Sequence, residues 1–407
     1  MLKKIAVVLV TLSIGVYMGL KLPRGAGLIA TVMNFTSQSS EDYSATASHQ
    51  AFLDMESMIS KARKMVLKDA RSEQEAVEGM RWLLRVISMS TEVAADGNPK
   101  QPHFQRMDTA VRKIGGDNPD AEYELAQIDG QYDYRISGNV GTIRYLGFTI
   151  NGGQGMTPRR QVAYTSDKAL TLDEDGNFVF ILAQTKPEIE GDWIEIPEDA
   201  SSILVREYIA DRENEILPTL KIEIIGEKPP FSPPTDREIA DSIIGTSYAF
   251  LKLTTLHKTI LPELLEEHHR FIRATSENLG GSVSGIDNLY MIGSYQLADD
   301  EALVVEVMPP KVRYWNFTLS TRWHEIINYL HRPTSRTLED VTYEADGSVQ
   351  FLISHTDPGH PNWLDTSGYA FGFMTFRWID GKGQEIAMPK TRVVKLSELG
   401  VDARPQS

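Results

Sequence analysis

The stretch Tyr132–Ile150, YDYRISGNVGTIRYLGFTI, decides the predicted fold. Polar and apolar residues alternate in Tyr132–Ile136 and in Thr142–Ile150, which is the pattern of strands with one buried face. Gly138 and Gly141 interrupt the alternation in the way that turn residues do. The stretch therefore predicts antiparallel β-structure with tight turns.

The rest of the chain alternates between helical and strand-like regions. The proline-rich segment Lys228–Pro234 breaks regular structure, and the capping box Thr235–Glu238 opens a helix directly after it. The order helices, strands, helices, strands predicts an α+β protein. We expect antiparallel β-sandwich or jelly-roll-like sheets with accessory helices and an N-terminal membrane helix. No internal repeat at a fixed period is apparent.

Changes in composition divide the chain into six predicted parts. The helical region carries apolar stripes that include Phe52 and Leu84, which are therefore predicted to face the core. The parts are a signal anchor or signal peptide (1–25), a polar tether (26–48), a helical region (49–126), a first β-rich domain (127–230), a helical insert (235–275) and a C-terminal β-sandwich domain (286–400).

The N-terminal segment predicts export and a membrane attachment. Lys3 and Lys4 precede the apolar run Ile5–Leu20, which is long for a signal peptide and short for a spanning helix. The absence of a small-residue cleavage site favours an uncleaved single-pass anchor, although cleavage and secretion stay open. The positive residues predict that the N-terminus is inside and that the body lies in the periplasm.

Composition excludes several classes of function. The formal net charge of −15 argues against a nucleic-acid partner, because an acidic surface repels phosphates. The chain has no cysteine, so disulfides, cysteine-ligated metals and thiol catalysis are excluded. Phosphate-binding loops, dinucleotide fingerprints and serine-nucleophile elbows are also missing from the sequence. We therefore expect no cofactor.

The string His355–Gly368, HTDPGHPNWLDTSG, followed by Phe376-Arg377-Trp378, is the most distinctive in the chain. It resembles the signature of the bacterial family known as domain of unknown function 1214, which often occurs with a related domain numbered 1254. Gly116–Asp120 and Pro197–Pro218 are also similar to such proteins, and the resemblance covers most of residues 75–395. It implies β-sandwich sheets with accessory helices but supplies neither a substrate nor catalytic residues.

Two groups of residues are the candidates for a functional site. His360 or His324 is predicted to carry a proton, Arg377 or Arg135 to bind an oxygen anion, and two tryptophans to form an apolar wall. The catalytic candidates are His324, Glu325, His360, Asp357, Asp365 and Arg377. The ligand-binding candidates are Asp117, Asn118, Arg135, Trp363 and Trp378.

Structural interpretations of the same residues stay open. His324-Glu325-Ile-Ile-Asn328 lacks the second histidine of a zinc-binding helix, so no metal ligand is assigned, and the simpler interpretation is a partly exposed helix with a capping or salt-bridged His–Glu pair. In His355-x-Asp357-x-x-His360, the carboxylate can cap a turn, the group can bind a metal, or a histidine can transfer protons. Asp117 can likewise belong to a structural turn.

Two functional hypotheses follow from these observations. The first is a membrane-tethered periplasmic protein that binds or acts on a small neutral organic molecule or glycan by cofactor-free, hydrolase-like or lyase-like acid–base chemistry. It requires His324, Asp357, His360 and Arg377 to meet in one concave pocket. The alternative is a non-catalytic envelope protein that assembles with a partner. Assembly as a homo-oligomer also stays open.

Overall fold

The computed structural model describes residues 42–399, apart from 114, 228–229, 231, 260–261, 275–278, 280–284 and 382. The predicted anchor Ile5–Leu20 lies outside the described residues. Within these ranges, no helix combines the length and the apolar character that are needed to cross a bilayer.

Three long helices form one helical unit, in which α3 packs against both α1 and α2. Thr46 caps the start of α1, and Ser72 caps the start of α2 by accepting a hydrogen bond from the Glu75 N–H. The helices are α1 (Ala47–Asp69), α2 (Glu73–Ala94) and α3 (Asp236–Thr259), and two short 3-10 helices span Pro262–Leu265 and Leu396–Leu399.

The helical unit corrects two predictions about its core. Phe52 and Leu84 are 54% and 68% exposed, so the prediction that they face the core is wrong. The buried line of α1 runs instead through Ala51, Met55 and Val66. Each residue turns the helix by about 100°, so Phe52 points away from that line.

The first β-sandwich consists of two sheets that share a core of Phe148, Phe180 and Val205 with other apolar residues. One sheet has the order β1-β2-β8-β4-β5 and the other β7-β6-β3-β9, and the β6–β7 pair is parallel. The strands are β1 (Gln105–Arg106), β2 (Ala121–Gln127), β3 (Tyr134–Asn139), β4 (Tyr145–Gly152), β5 (Arg160–Ser166), β6 (Asn177–Ala183), β7 (Asp192–Glu195), β8 (Ala200–Tyr208) and β9 (Thr219–Ile224). Strands β1 and β2 thus lie largely in the part that the sequence assigns to the helical region.

The second β-sandwich encloses Trp315, Phe351, Phe376 and Trp378 between its two sheets. Its sheets have the orders β10-β11-β17-β13-β14 and β16-β15-β12-β18, with a parallel β15–β16 pair. The strands are β10 (Phe271–Ala274), β11 (Asn288–Gln296), β12 (Glu301–Val307), β13 (Trp315–Ser320), β14 (Ser335–Thr337), β15 (Val349–Ser354), β16 (Trp363–Asp365), β17 (Phe371–Ile379) and β18 (Lys390–Lys395). The predicted α+β class is therefore confirmed, with mostly antiparallel sheets.

The two sandwiches repeat one topology. Adding nine to each strand number of the first sandwich gives the strand order of the second. The equivalent strands β4 and β13 carry similar motifs, RYLGFT at Arg144–Thr149 and RYWNFT at Arg313–Thr318. Their partners β8 and β17 carry Arg206 and Arg377 in matching registers. The chain thus contains an internal structural repeat that the search for a fixed sequence period misses.

Candidate functional site

A cavity of about 770 Å³ lies between helices α2 and α3 and the outer face of the sheet β1-β2-β8-β4-β5. Helix α3 lines it with one face, because its lining residues recur every three or four positions. These residues are Glu238, Ile239, Asp241, Ser242, Gly245, Tyr248, Ala249, Lys252 and Leu253. The size is within the range of sites that bind small molecules.

Apolar side chains form part of the cavity lining. Met89 and Val93 project from α2, while Leu125 and Leu204 project from strands β2 and β8. Their neighbours along these strands point into the sandwich core, because side chains alternate between the two faces of a strand. The outer face of this sheet therefore presents Leu125 and Leu204 beneath the helices, together with the polar residues Gln127 and Ser202.

Gly245 forms an open part of the α3 wall. A Cβ atom at this position would meet only the Cβ of Ala94, at 3.7 Å, which is an ordinary contact distance. Space is therefore available beside the helix at the centre of the cavity. A larger side chain at position 245 would occupy that space.

One end of the cavity is cationic. The backbone N–H of Arg159 donates to the Tyr248 hydroxyl at 2.9 Å, and the Arg159 guanidinium lies 4.8 Å from the centre of the Tyr248 ring. Burial lowers the pKa of Lys252, and the positive charge of Arg159 lowers it further. Burial also lowers the pKa of Arg159. Two cations thus share a partly desolvated space.

Asn151 of strand β4 also lines the cavity. Its side chain is 4% exposed, and its Oδ1 atom has no hydrogen-bond partner among the described residues. Buried amide groups normally have such partners, because desolvation without a hydrogen bond is costly. The Oδ1 atom of Asn151 is therefore a buried acceptor in the cavity lining without a described donor.

The other end of the cavity carries the ion pair of Lys100 and Glu238. Lys100 donates to the Glu238 carboxylate at 3.1 Å. Hydrogen bonds from the backbone and side chain of Thr235 lower the pKa of Glu238 to about 2, with a further contribution from Lys100. The hydrogen bond to Glu238 raises the pKa of Lys100, and the charge of Asp129 acts in the same direction. The further acidic residues Asp96 and Asp241 also line the cavity, and Asp241 pairs with Arg237.

Three of the predicted site residues meet at the seam between the two sandwiches. Arg377 donates to the Thr318 hydroxyl at 2.9 Å and to the backbone oxygens of Gly116 and Asp117 at 3.0 and 2.9 Å. Asn118 accepts a hydrogen bond from the Asn316 amide at 2.6 Å. These groups join the sheets, and none of them lines the cavity.

His324 and Glu325 lie in a buried connection between β13 and β14, so the prediction of a partly exposed helix is wrong. The His324 ring stacks on Phe373 with centroids 4.0 Å apart, and its backbone φ is 58°. Glu325 forms an ion pair with Arg85 of α2 at 2.7 Å. Packing against the helices and both sandwiches determines this conformation.

Two buried carboxyls beside the seam have raised pKa values. Burial and the nearby charge of Asp117 raise the pKa of Asp108 to about 7. Burial also raises the pKa of Asp117 to about 6, although Lys113 acts in the opposite direction. The Asp117 carboxylate accepts a hydrogen bond from the Ile326 N–H at 2.8 Å. Both carboxyls lie at a structural contact.

The loop that follows β15 binds mainly to itself. Asp357 accepts a hydrogen bond from the Gly359 N–H, so it caps a turn as the structural interpretation predicts. His360 Nδ1 accepts from the Asn362 N–H at 3.1 Å, and burial lowers the pKa of His360. Asp365 pairs with Arg332 at 2.9 Å. The loop connects β15 to its edge partner β16 in the second sandwich.

The three remaining predicted residues lie in separate places. Arg135 is exposed on β3, Trp363 donates to the Ser354 hydroxyl, and Trp378 is fully buried in the second core. The structure therefore does not gather His324, Asp357, His360 and Arg377 in one pocket. The cavity residues Asn151, Arg159, Tyr248 and Lys252 were not identified from the sequence. The spacing of Gly245, Tyr248 and Lys252 indicates that they share one face of α3. No sequence pattern indicates that Asn151 and Arg159 line the same cavity.

Across the described part of the chain, no group of three or more histidine, aspartate or glutamate side chains has a geometry that could hold a metal ion.

Comparison with known proteins shows a family match and a shared fold. The model of the family described as "Protein of unknown function (DUF1214)" matches residues 120–212 and 296–382, one region in each sandwich. No curated protein matches the chain.

Two solved structures are similar over most of their length. The crystal structure of an uncharacterized protein from Burkholderia cenocepacia has a TM-score of 0.80 and 27% identity, and the match covers 86% of this chain and 98% of that one. The VPA0106 protein from Vibrio parahaemolyticus has a TM-score of 0.47 and 14% identity, over 78% of this chain and 98% of that one. The first of these supports the overall fold described above.

Proposed function

We propose that this chain, which belongs to the DUF1214 family through a match in each sandwich, binds a small organic molecule in the cavity between its helices and its first sandwich. The observation that carries the proposal is a cavity of about 770 Å³ whose lining combines apolar side chains with charged and amide groups. Sites for small molecules commonly combine an apolar lining with a few polar groups that orient the ligand.

The lining favours an apolar molecule over a glycan. Among the described lining residues, Tyr248 is the one aromatic side chain, and the Arg159 guanidinium covers a face of its ring. A sugar would thus find no free aromatic surface on which to stack. Met89, Leu125 and Leu204 instead offer aliphatic contacts, and burial of an apolar ligand against them is favourable.

The proposal concerns binding rather than turnover. The described lining includes no histidine, and its acidic residues are Asp96, Asp129, Glu238 and Asp241. Of these, Glu238 pairs with Lys100 and Asp241 with Arg237. The residues suggested for acid–base chemistry, such as His360 and Arg377, lie elsewhere. A binding protein needs only the complementary cavity.

The proposal retains the periplasmic location and the tether at Ile5–Leu20. The two lysines before this segment and its apolar character support both features. A tethered binding protein would keep its cavity close to the inner membrane, where apolar molecules concentrate.

The test uses the neutral fluorescent probe phenylnaphthylamine with the full chain. We expect its fluorescence to rise on binding, and the Gly245→Leu variant to bind it at least tenfold more weakly, because leucine fills the centre of the cavity. Gly245→Ala is the matched control, since one methyl group adds only the ordinary contact with Ala94. Both changes replace a helical glycine and should preserve or raise helix stability.

Two results would overturn the proposed binding site. Full binding by Gly245→Leu, with a melting temperature like that of Gly245→Ala, would show that the probe binds elsewhere and would overturn the proposal. Absence of binding by the unmodified chain would overturn it as well. If the unmodified chain binds the probe and Gly245→Leu does not, mass spectrometry of small molecules that co-purify with the chain would identify the natural ligand.

A further inference from the structure

A row of polar side chains crosses the sheet at the floor of the cavity. Three adjacent strands, β2, β8 and β4, each contribute one residue to it. Ser202 of β8 lies directly opposite both Gln127 of β2 and Asn151 of β4. Their neighbours along the strands belong to the core of the first sandwich, so these three side chains lie on the cavity face. We call Gln127, Ser202 and Asn151 the polar row.

The polar row contains hydrogen-bond acceptors that the protein does not use. The Asn151 side chain is 4% exposed, and its Oδ1 atom has no hydrogen-bond partner among the described residues. The Gln127 Nε2 atom donates to the backbone oxygens of Val93 and Ala94 at 2.8 and 3.1 Å, so the donor half of this amide is already used. A ligand that meets the row must therefore supply hydrogen-bond donors.

An apolar row lies beside the polar row. Leu125 and Leu204 are directly opposite one another on β2 and β8, two residues before Gln127 and two residues after Ser202. Two residues of a strand span about 7 Å, which is a short distance for an organic molecule to bridge. A ligand that covers both rows therefore needs a hydrogen-bonding head group and an aliphatic body.

The charges of the cavity favour a neutral head group. The described lining contains charges of both signs, namely Asp96, Asp129, Glu238 and Asp241 on the acidic side and Lys100, Arg159 and Lys252 on the basic side. An anionic oxygen would bring no hydrogen to the unpartnered Asn151 Oδ1 atom. An ammonium group would bring hydrogens, but it would lose hydration beside an amide that does not neutralise its charge.

From this arrangement, we propose that the cavity selects a neutral amphiphile whose head group donates hydrogen bonds, as a primary carboxamide does, with the head at Asn151 and the hydrocarbon chain over Leu125 and Leu204. This inference rests on the proposed function, because it specifies the ligand class of the same cavity. A carboxamide pairs with the Asn151 amide in both directions, since each group has N–H donors and a carbonyl acceptor. The buried oxygen thereby gains the partner that it lacks.

The test compares octanamide with methyl heptyl ketone, in which a methyl group replaces the amide nitrogen. The two molecules have the same carbonyl group and hydrocarbon chain, but the ketone has no hydrogen-bond donor. Isothermal titration calorimetry measures their binding to the full chain. We expect Asn151→Leu to bind octanamide about tenfold more weakly and to keep its affinity for the ketone within about twofold, because the hydrocarbon contacts remain.

Ser202→Ala provides a second variant in the polar row. It removes a hydroxyl that lies opposite Asn151 and also lines the cavity. We expect it to weaken the binding of octanamide about threefold and to leave the binding of the ketone unchanged. The small size of alanine keeps the shape of the cavity floor.

Gln161→Leu is the matched control. It replaces an amide with leucine on β5, directly opposite Asn151, at a position outside the described lining. We expect the affinities for both molecules to stay unchanged. Asn151→Leu should keep the melting temperature of the unmodified protein or raise it, because leucine replaces an amide oxygen that has no partner. A lower melting temperature, with octanamide and the ketone weakened equally, would show a structural role of Asn151 and would overturn the inference.

The remaining results distinguish this inference from the proposed function. Unchanged binding of octanamide by both Asn151→Leu and Ser202→Ala would overturn the head-group inference. Tighter binding of octylamine, which is cationic at neutral pH, than of octanamide would overturn it as well. Both results leave the cavity as a binding site. Binding of none of these molecules would overturn the inference alone if phenylnaphthylamine binds, and both proposals if phenylnaphthylamine does not.

Discussion

Asp108 shows how burial changes the chemistry of one residue in this protein. Its side chain is 5% exposed, and its Oδ1 atom has no hydrogen-bond partner among the described residues. Its pKa of about 7 is above the ordinary value of 3.8, since burial and the nearby Asp117 both disfavour the charged form. The folded protein therefore holds this proton more tightly than the unfolded chain.

The raised pKa gives a prediction about pH dependence. Because the folded form binds the proton more tightly, the contribution of Asp108 to stability decreases as the pH rises from about 4 to about 7. Asp108→Asn should remove this loss and raise the free energy of unfolding at about pH 8 by about 1–2 kcal/mol, with little change at about pH 4.

Chemical denaturation at the two pH values measures the effect. Asp175→Asn is the control, because that residue is exposed in a turn. If Asp108→Asn and Asp175→Asn shift the denaturation midpoint equally at both pH values, Asp108 does not have the raised pKa.

Among the elements, helix α2 ties the helical unit to the second sandwich. Its Glu75 accepts a hydrogen bond from Arg322 at 2.7 Å, and the backbone oxygen of Glu75 accepts from the Trp323 indole at 3.0 Å. Trp323 stacks on Trp82 with centroids 5.0 Å apart. A Cβ atom at Gly79 would meet the Trp323 ring at 2.9 Å, so a glycine is needed for this close approach.

The buried pair predicts a large cost for one substitution in the first turn of α2. Glu75→Ala would leave the Arg322 guanidinium, which is 3% exposed, without its carboxylate. The free energy of unfolding should fall by about 3 kcal/mol, because a buried charge that loses its partner is strongly unfavourable. Glu73→Ala, in the same turn but exposed, should change it by less than about 0.5 kcal/mol.

Urea denaturation of the two variants provides the comparison. Equal effects would mean that the helix terminus, and not the contact with Arg322, determines the result.

At the level of elements, the sequence predicts what depends on local pattern. The alternation in Thr142–Ile150 correctly predicts strand β4, and the capping boxes at Ser72 and Thr235 correctly mark the starts of α2 and α3. The connection around His324 could not be predicted in this way, because its conformation depends on contacts with Arg85 and Asp117, which are distant in sequence. Local spacing resembled a helix there, but tertiary contacts determine the structure.

At the scale of the whole molecule, the two sandwiches repeat one topology but use their equivalent arginines differently. Arg377 crosses the seam to the backbone of Gly116 and Asp117, while Arg206 donates to Thr149 within its own sheet. The Nη2 atom of Arg206 has no partner among the described residues. The repeat is therefore asymmetric in the contacts that join its halves.

This asymmetry predicts unequal effects of the same substitution. Arg377→Met should lower the free energy of unfolding by about 3 kcal/mol, because it leaves buried carbonyl oxygens without donors. Arg206→Met should cost at most about 1 kcal/mol, since it removes one hydrogen bond and an unsatisfied donor together. Thermal or urea denaturation measures both, and equal losses would contradict the assigned role of Arg377 at the seam.

The candidate site also depends on the whole molecule. Its residues come from three separate parts of the chain, represented by Met89, Asn151 and Lys252. A sequence motif identifies neighbours along the chain, as in His355–Gly368, whereas the cavity arises where a helix pair covers a sheet. In the sequence, nothing distinguishes Arg159 from the other charged residues. Its position beside Tyr248 and Lys252 becomes visible only in the folded structure.

The position of α3 in the chain has a consequence for the order of folding. The Asp236 carboxylate accepts hydrogen bonds from the Ala47 N–H and the Ser48 hydroxyl, so the start of α3 holds the start of α1. The first sandwich lies between these two helices in the sequence. Because chains are synthesised from the N-terminus, α1 and α2 are made before α3. Their apolar faces stay exposed until α3 has been synthesised. The helical unit therefore closes late, after the sheet beneath it exists, and the cavity forms at that moment.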